Sequence, residues 1–164
     1  MGTKTRMVLL VVGTILVLDQ VTKLLVERSM VPYQSEPVIA SFFHLTYVRN
    51  TGAAFGLLAQ APDWFRQPFF FIATAVAIVA LGLFLRHTAE TDRLTILAVA
   101  AILGGAVGNL IDRLRYGYVI DFLDFHWRGY HWPAFNVADS CITLGVLGLL
   151  WSAVWIKGAE LQRD

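Results

Sequence analysis

LTILAVAAILGGAVGNLIDRL, residues 94–114, carries no charged side chain until Asp112. A helix needs roughly 20 apolar residues to cross a hydrocarbon core of about 30 Å, so the charge-free part nearly spans one and its polar flanks complete the crossing. Two other windows have the same character: residues 67–85 between Arg66 and Arg86, and residues 140–156 between Asp139 and Lys157. A further apolar run, residues 7–18, is interrupted by Asp19 and resumed by VTKLLV. With Lys4 and Arg6 ahead of it, that run starts like a signal peptide. It continues into LDQVTKLLVE instead of ending at a small-residue cleavage site, so it reads as an uncleaved first transmembrane helix.

Composition points the same way. Of 164 residues, 57% are hydrophobic and only 15% charged, whereas a soluble domain carries about 25% charge. Mean hydropathy is +0.61. The expectation is an all-α membrane protein with one domain over residues 1–164 and helices over roughly 6–26, 67–86, 93–112 and 138–157. Lys4, Arg6, Arg86, Arg93, Lys157 and Arg163 fall at one set of helix ends, which the positive-inside rule assigns to the cytoplasm. Both termini are then cytoplasmic, and the two remaining connections face outward. A net charge of +1 argues against a nucleic-acid partner. The lone Cys141 excludes an internal disulfide and reads as a small buried hydrophobe.

Both outer connections are longer than turns require. In the first, over roughly 27–66, residues 38–48 are rich in β-branched and aromatic types and suggest short strands, until Asn50, Gly52 and Gly56 break the pattern. APDWFRQPF, residues 61–69, mixes aromatics with charge, as an amphipathic piece at the interface would. In the second connection, alternation over residues 119–125 turns Asp121 and Asp124 to opposite faces, so these two are not expected to act as a pair.

Several polar residues lie where apolar ones would be expected. Asp19 has Lys23 at i+4, and the pair is expected to support the bundle, with Lys23 able to snorkel to an interface. Gly104 and Gly108 allow close helix approach. Asn109, Asp112 and Arg113 then share one helical face. Asn136 and Asp139 stand at the start of the last helix, where one can be the N-cap and the other needs its own explanation. His126 and His131 raise a metal site with Asp121 or Asp124, but their spacing matches no ligand motif, and aromatic-belt packing is the expectation. Two readings remain: a carboxylate pair near the outer surface that hydrolyses a bond, or an ion- or proton-handling path lined by buried acids. A path needs polar groups at several depths, yet the second and fourth helices are almost wholly apolar. That favours a site.

Five motifs in order, DQVTK (residues 19–23), RNTGAAFG (49–56), GNLIDRL (108–114), VIDF (119–122) and FNVADS (135–140), resemble those of the bacterial lipoprotein signal peptidases, the signal peptidase II family. The likeness covers nearly the whole chain. It implies four helices with a small extracytoplasmic β-cradle and a short interfacial helix. It also implies a metal-independent aspartyl endopeptidase of the bacterial inner membrane, with its site near the outer face. Such an enzyme removes the signal peptide from diacylglyceryl-modified prolipoproteins, cutting N-terminal to the lipidated cysteine. By the same resemblance Asp121 and Asp139 are the catalytic dyad, and Asn50, Asn109, Arg113 and Asn136 contact substrate. Asp19, Lys23, Gly52 and Asp112 are expected to support the site. No metal or cofactor is implied. The implied partners are diacylated prolipoproteins, membrane lipid and cyclic-peptide inhibitors of the globomycin type.

Overall fold

A computed structural model of the protein describes residues 2–53 and 56–160. Ala54 and Phe55 of the RNTGAAFG stretch, and Arg163 of the charge pattern, lie outside the described residues. Four helices, α1 (Thr3–Ser29), α2 (Asp63–His87), α3 (Arg93–Tyr116) and α4 (Val137–Glu160), are long and apolar enough to cross a membrane. Strands β1 (Ser35–Ile39), β2 (Phe43–Asn50), β3 (Val119–Trp127) and β4 (Tyr130–His131) form one antiparallel sheet in that order. The central β2–β3 pair joins the α1–α2 connection to the α3–α4 connection.

Small residues determine how the helices pack. α3 touches all three other helices, and half of its apolar window is buried. A Cβ on Gly108 would stand 2.7 Å from Asp19 Oδ2, and one on Gly104 would press on Ile15. The small-residue stripe therefore receives α1. Gly105 meets α4 instead, against the Ala138 carbonyl and Ile142. Without side chains at these points the three backbones approach closely enough for short polar side chains to bridge them.

The sheet is fastened to α1 by a cluster of Val26, Tyr47, Ile120 and Phe122. Burying side chains of this size contributes roughly 1.5–3 kcal/mol each. At the other end, Lys4 Nζ donates to the Leu85 and Thr88 carbonyls at 2.8 and 2.9 Å, closing α1 onto the end of α2. Among the described residues, the 61–69 stretch forms no helix of its own, because from Asp63 it is already the opening of α2. Asp63 there pairs with Arg66, one turn on.

Gly117 ends α3 in the left-handed conformation, φ 77°, with its N–H on the Arg113 carbonyl. A glycine adopts this φ without the steric cost other residues meet. The chain then turns into β3, and Asp112 Oδ2 accepts the Ile120 N–H at 3.1 Å. That bond fixes the strand one residue before Asp121.

Candidate active site

Asp121 is only 1% exposed. Its Oδ1 accepts from Asn136 Nδ2 at 2.7 Å and its Oδ2 from Asn50 Nδ2 at 2.8 Å. Each asparagine is oriented by its other end. Asn50 Oδ1 takes the Gly52 N–H at 2.9 Å, within the turn that ends β2, so its amide nitrogen is left for Asp121. Asn136 Oδ1 takes the Asp139 N–H at 2.9 Å, the bond of an N-cap to the third helical residue. Asn136 is therefore the cap of α4. Asp139, relieved of capping, presents its carboxylate beside Asp121, where Oδ1 accepts from Asn109 Nδ2 at 2.7 Å.

A buried charge cluster supports this arrangement from beneath. Lys23, 2% exposed, lies 2.9 Å from Asp19 Oδ2, 2.9 Å from Asp112 Oδ2 and 3.0 Å from Asn109 Oδ1. Snorkelling is therefore corrected: Lys23 is enclosed by three acceptors from α1 and α3. Asp19 is not its sole partner either. Asp19 Oδ1 accepts the Ala138 N–H at 3.0 Å, so it satisfies a second orphan amide of α4 beside the one Asn136 takes. The ammonium on Asn109 Oδ1 leaves Nδ2 of that side chain for Asp139. A chain of oriented contacts thus runs from Lys23 to Asp139.

Gln20 adjoins Asp19 in DQVTK and carries no signal of its own in the sequence. Its amide donates to Asp112 Oδ1 at 2.9 Å and to Asp19 Oδ2 at 3.1 Å, binding the two carboxylates to each other. Asp112 is buried, as a support would be and a solvated helix end would not.

Arg113 reaches the opposite wall. Its Nη2 donates to the Gly52 carbonyl at 3.0 Å, and its guanidinium lies 4.4 Å from the Phe70 ring centroid. Gly52 admits no side chain, since a Cβ would stand 2.5 Å from the Leu57 carbonyl oxygen and 2.9 Å from the Ala59 nitrogen. Both of those are backbone atoms.

Burial pushes the Asp121 carboxyl up to about 7, and the neighbouring Asp139 charge adds to the rise. Hydrogen bonds from Asn50 and Asn136 oppose it. Two carboxyls near one another in such surroundings resist ionising together, and their apparent titrations belong to the pair. Such a pair can donate and accept a proton at the same time.

Asp124 lies elsewhere. Its carboxylate accepts from Thr46 at 3.2 Å and meets His131 Nδ1 at 3.0 Å. His126 and His131 pair across β3 and β4 on that same side, near Asp124 and not near Asp121.

The family model described as signal peptidase (SPase) II matches residues 11–155. A lipoprotein signal peptidase of Syntrophotalea carbinolica is 50% identical over 157 residues, covering 96% of each chain. One from Desulforapulum autotrophicum is 47% identical over 163 residues, covering 98% of this chain and all of the relative. A solved bacterial membrane enzyme superposes with a TM-score of 0.81 at 35% identity, over 90% of this chain and 87% of that one.

Proposed function

Because the chain belongs to the signal peptidase II family, we infer that Asp121 and Asp139 are the two carboxyls of its aspartic peptidase centre. The protein is a multi-pass membrane hydrolase of the lipoprotein signal peptidase family, and prolipoproteins are its substrates. The observation that carries the dyad assignment is Asn136. One amide caps Asp139 through its oxygen and holds Asp121 through its nitrogen, so the two acids are positioned by a single side chain.

In this reading a water lies between the carboxyls. The ionised one removes its proton as it attacks the scissile carbonyl, and the protonated one donates a hydrogen bond to the developing oxyanion. The proton then passes to the leaving amine as the tetrahedral species collapses. Asn50, Asn109 and Asn136 keep both acids facing the water. Arg113 and Asn50, at the wall formed by Gly52 and Phe70, line the path of the substrate backbone. The substrate is a prolipoprotein with a diacylglyceryl group on its cysteine, whose acyl chains and apolar signal helix already reside in the bilayer of the bacterial inner membrane. The cut falls N-terminal to that cysteine. Both termini are cytoplasmic and the sheet faces outward, and globomycin-type cyclic peptides occupy the same wall.

The direct test is incubation of purified protein with a diacylated prolipoprotein and with an undiacylated control. Cleavage of the first and not the second is expected; equal cleavage of both would remove the lipid from the recognition.

The shared proton gives a pH dependence with a definite sign. The Asp121 carboxyl is raised, so the one-proton state is kept below about 7 and lost as pH rises through that value. An alkaline limb in kcat/KM near neutrality is expected from initial rates across pH. The stability contributed by the bound proton should fade as pH rises from the ordinary carboxylate range, about 4, to about 7, seen as a melting temperature that falls across that window and levels off above it. Rates that stay flat from about pH 6 to about pH 9 would contradict a shared proton.

A further inference from the structure

The face of the sheet turned away from Asp121 gathers His44, His126 and His131, three of the chain's 4 histidines, around Asp124. His44 stands directly across from Asp124 between β2 and β3, and His126 directly across from His131 between β3 and β4. One ligand atom from each of His44, Asp124 and His126 lies within 4.8 Å of the other two. The His44 and His126 rings have centroids 4.3 Å apart and stand nearly perpendicular, at 72°. Each of two ligands is also held from behind. Ser35 Oγ meets His44 Nδ1 at 3.2 Å, while Thr46 and His131 hold the two oxygens of Asp124.

We propose that His44, Asp124 and His126 form a binding site for one divalent first-row transition ion of the zinc class, with His131 orienting Asp124. Two imidazoles and a carboxylate are the donor set that suits such an ion, whereas calcium and magnesium take oxygen donors. Bonds of about 2.0–2.1 Å place tetrahedral ligands roughly 3.4 Å apart, so modest side-chain rotation closes the observed spread. Ring packing alone accounts for the stacked histidines. It does not account for His126 Nδ1, which is buried without a hydrogen-bond partner. A buried imidazole nitrogen left so is costly, and ligation of an ion by that nitrogen would satisfy it. Serine, threonine and histidine contacts behind the ligands are the kind that tune and orient metal donors.

The ion would clip β2 to β3 beside β4. It lies on the opposite side of the strand from the dyad, so its role is to fasten the sheet and not to act on the peptide bond. This inference does not rest on the peptidase assignment.

The test uses the full chain without a histidine tag, in detergent, stripped with EDTA and titrated with Co²⁺ and then Zn²⁺. One Co²⁺ per chain is expected, with visible bands of a nitrogen- and oxygen-ligated ion that Zn²⁺ displaces. Zn²⁺ should raise the melting temperature. The His44→Ala/His126→Ala double variant should bind at least about tenfold more weakly, and its melting should no longer respond to Zn²⁺. Asp124→Asn, which keeps the side-chain shape, provides a second variant with the same expected loss. Both variants, and the EDTA-treated wild type, should cleave prolipoprotein within about twofold of the untreated enzyme, which verifies their fold. Absence of saturable binding at one ion per chain, or binding undiminished in variants that still cleave, would overturn the proposal.

Discussion

Asp139→Asn is expected to lower cleavage by at least about a thousandfold while leaving a folded protein, because in the proposed dyad it removes one of two proton-handling groups. The substitution is chosen for its neighbours. Asn109 Nδ2 donates to Asp139 Oδ1 at 2.7 Å, and an asparagine oxygen accepts that bond equally well. The change also removes the charge that crowds Asp121. The variant should therefore melt at or above the wild-type temperature at alkaline pH. Asp121→Asn should be as inactive but less stable. Its two oxygens both accept amide hydrogens, from Asn136 and Asn50. Neither donor can turn over, since each has its own oxygen engaged by a backbone N–H. One donor would then face the new amide nitrogen, at a cost of about 1–3 kcal/mol. Denaturation curves beside cleavage rates check both statements.

The largest loss of stability is expected from Lys23→Met. Lys23 is the ammonium shared by Asp19 and Asp112, and both carboxylates are buried. Removing it leaves two uncompensated anions and unties Asn109, at a cost of about 3–5 kcal/mol. Asp19→Asn should cost less, because Lys23 keeps Asp112 and the new side chain retains an oxygen for the Ala138 N–H. The order of the two melting temperatures decides the matter. An Asp19→Asn protein less stable than Lys23→Met would show that the cap on α4, and not charge balance, dominates the cluster. Activity per folded molecule should also fall in Lys23→Met, because Asn109 no longer has a fixed orientation toward Asp139.

The helices were legible because a bilayer demands long apolar windows, and the sequence holds four of them. The membership of the site was legible where residues share a helix turn, as with Asn136 and Asp139, or form a motif that resembles a known family. Who touches whom was not. Lys23 reads as the i+4 partner of Asp19, and nothing in its own segment announces Asp112 and Asn109, which lie on α3. Those contacts depend on Gly104 and Gly108 letting α1 approach, a consequence of packing and not of local pattern. Which residue caps α4 likewise depends on where β3 runs, since Asn136 must reach Asp121 as well. His44 gives no signal within its own segment for the same reason. Spacing between His126 and His131 matches no ligand motif, and the further partner is supplied by pairing of β2 with β3, segments far apart in the chain. The register there is irregular between Leu45 and Val48, which alternation in sequence does not reveal.

The measurement that bears most directly on the dyad is the intact mass of products from a diacylated prolipoprotein after incubation with wild-type protein and with Asp139→Asn at matched folded concentration. Wild type is expected to release the signal peptide by a single cut before the lipidated cysteine, and Asp139→Asn to return the substrate unchanged. The same product formed by folded Asp139→Asn at a rate near wild type would contradict catalysis by Asp121 and Asp139.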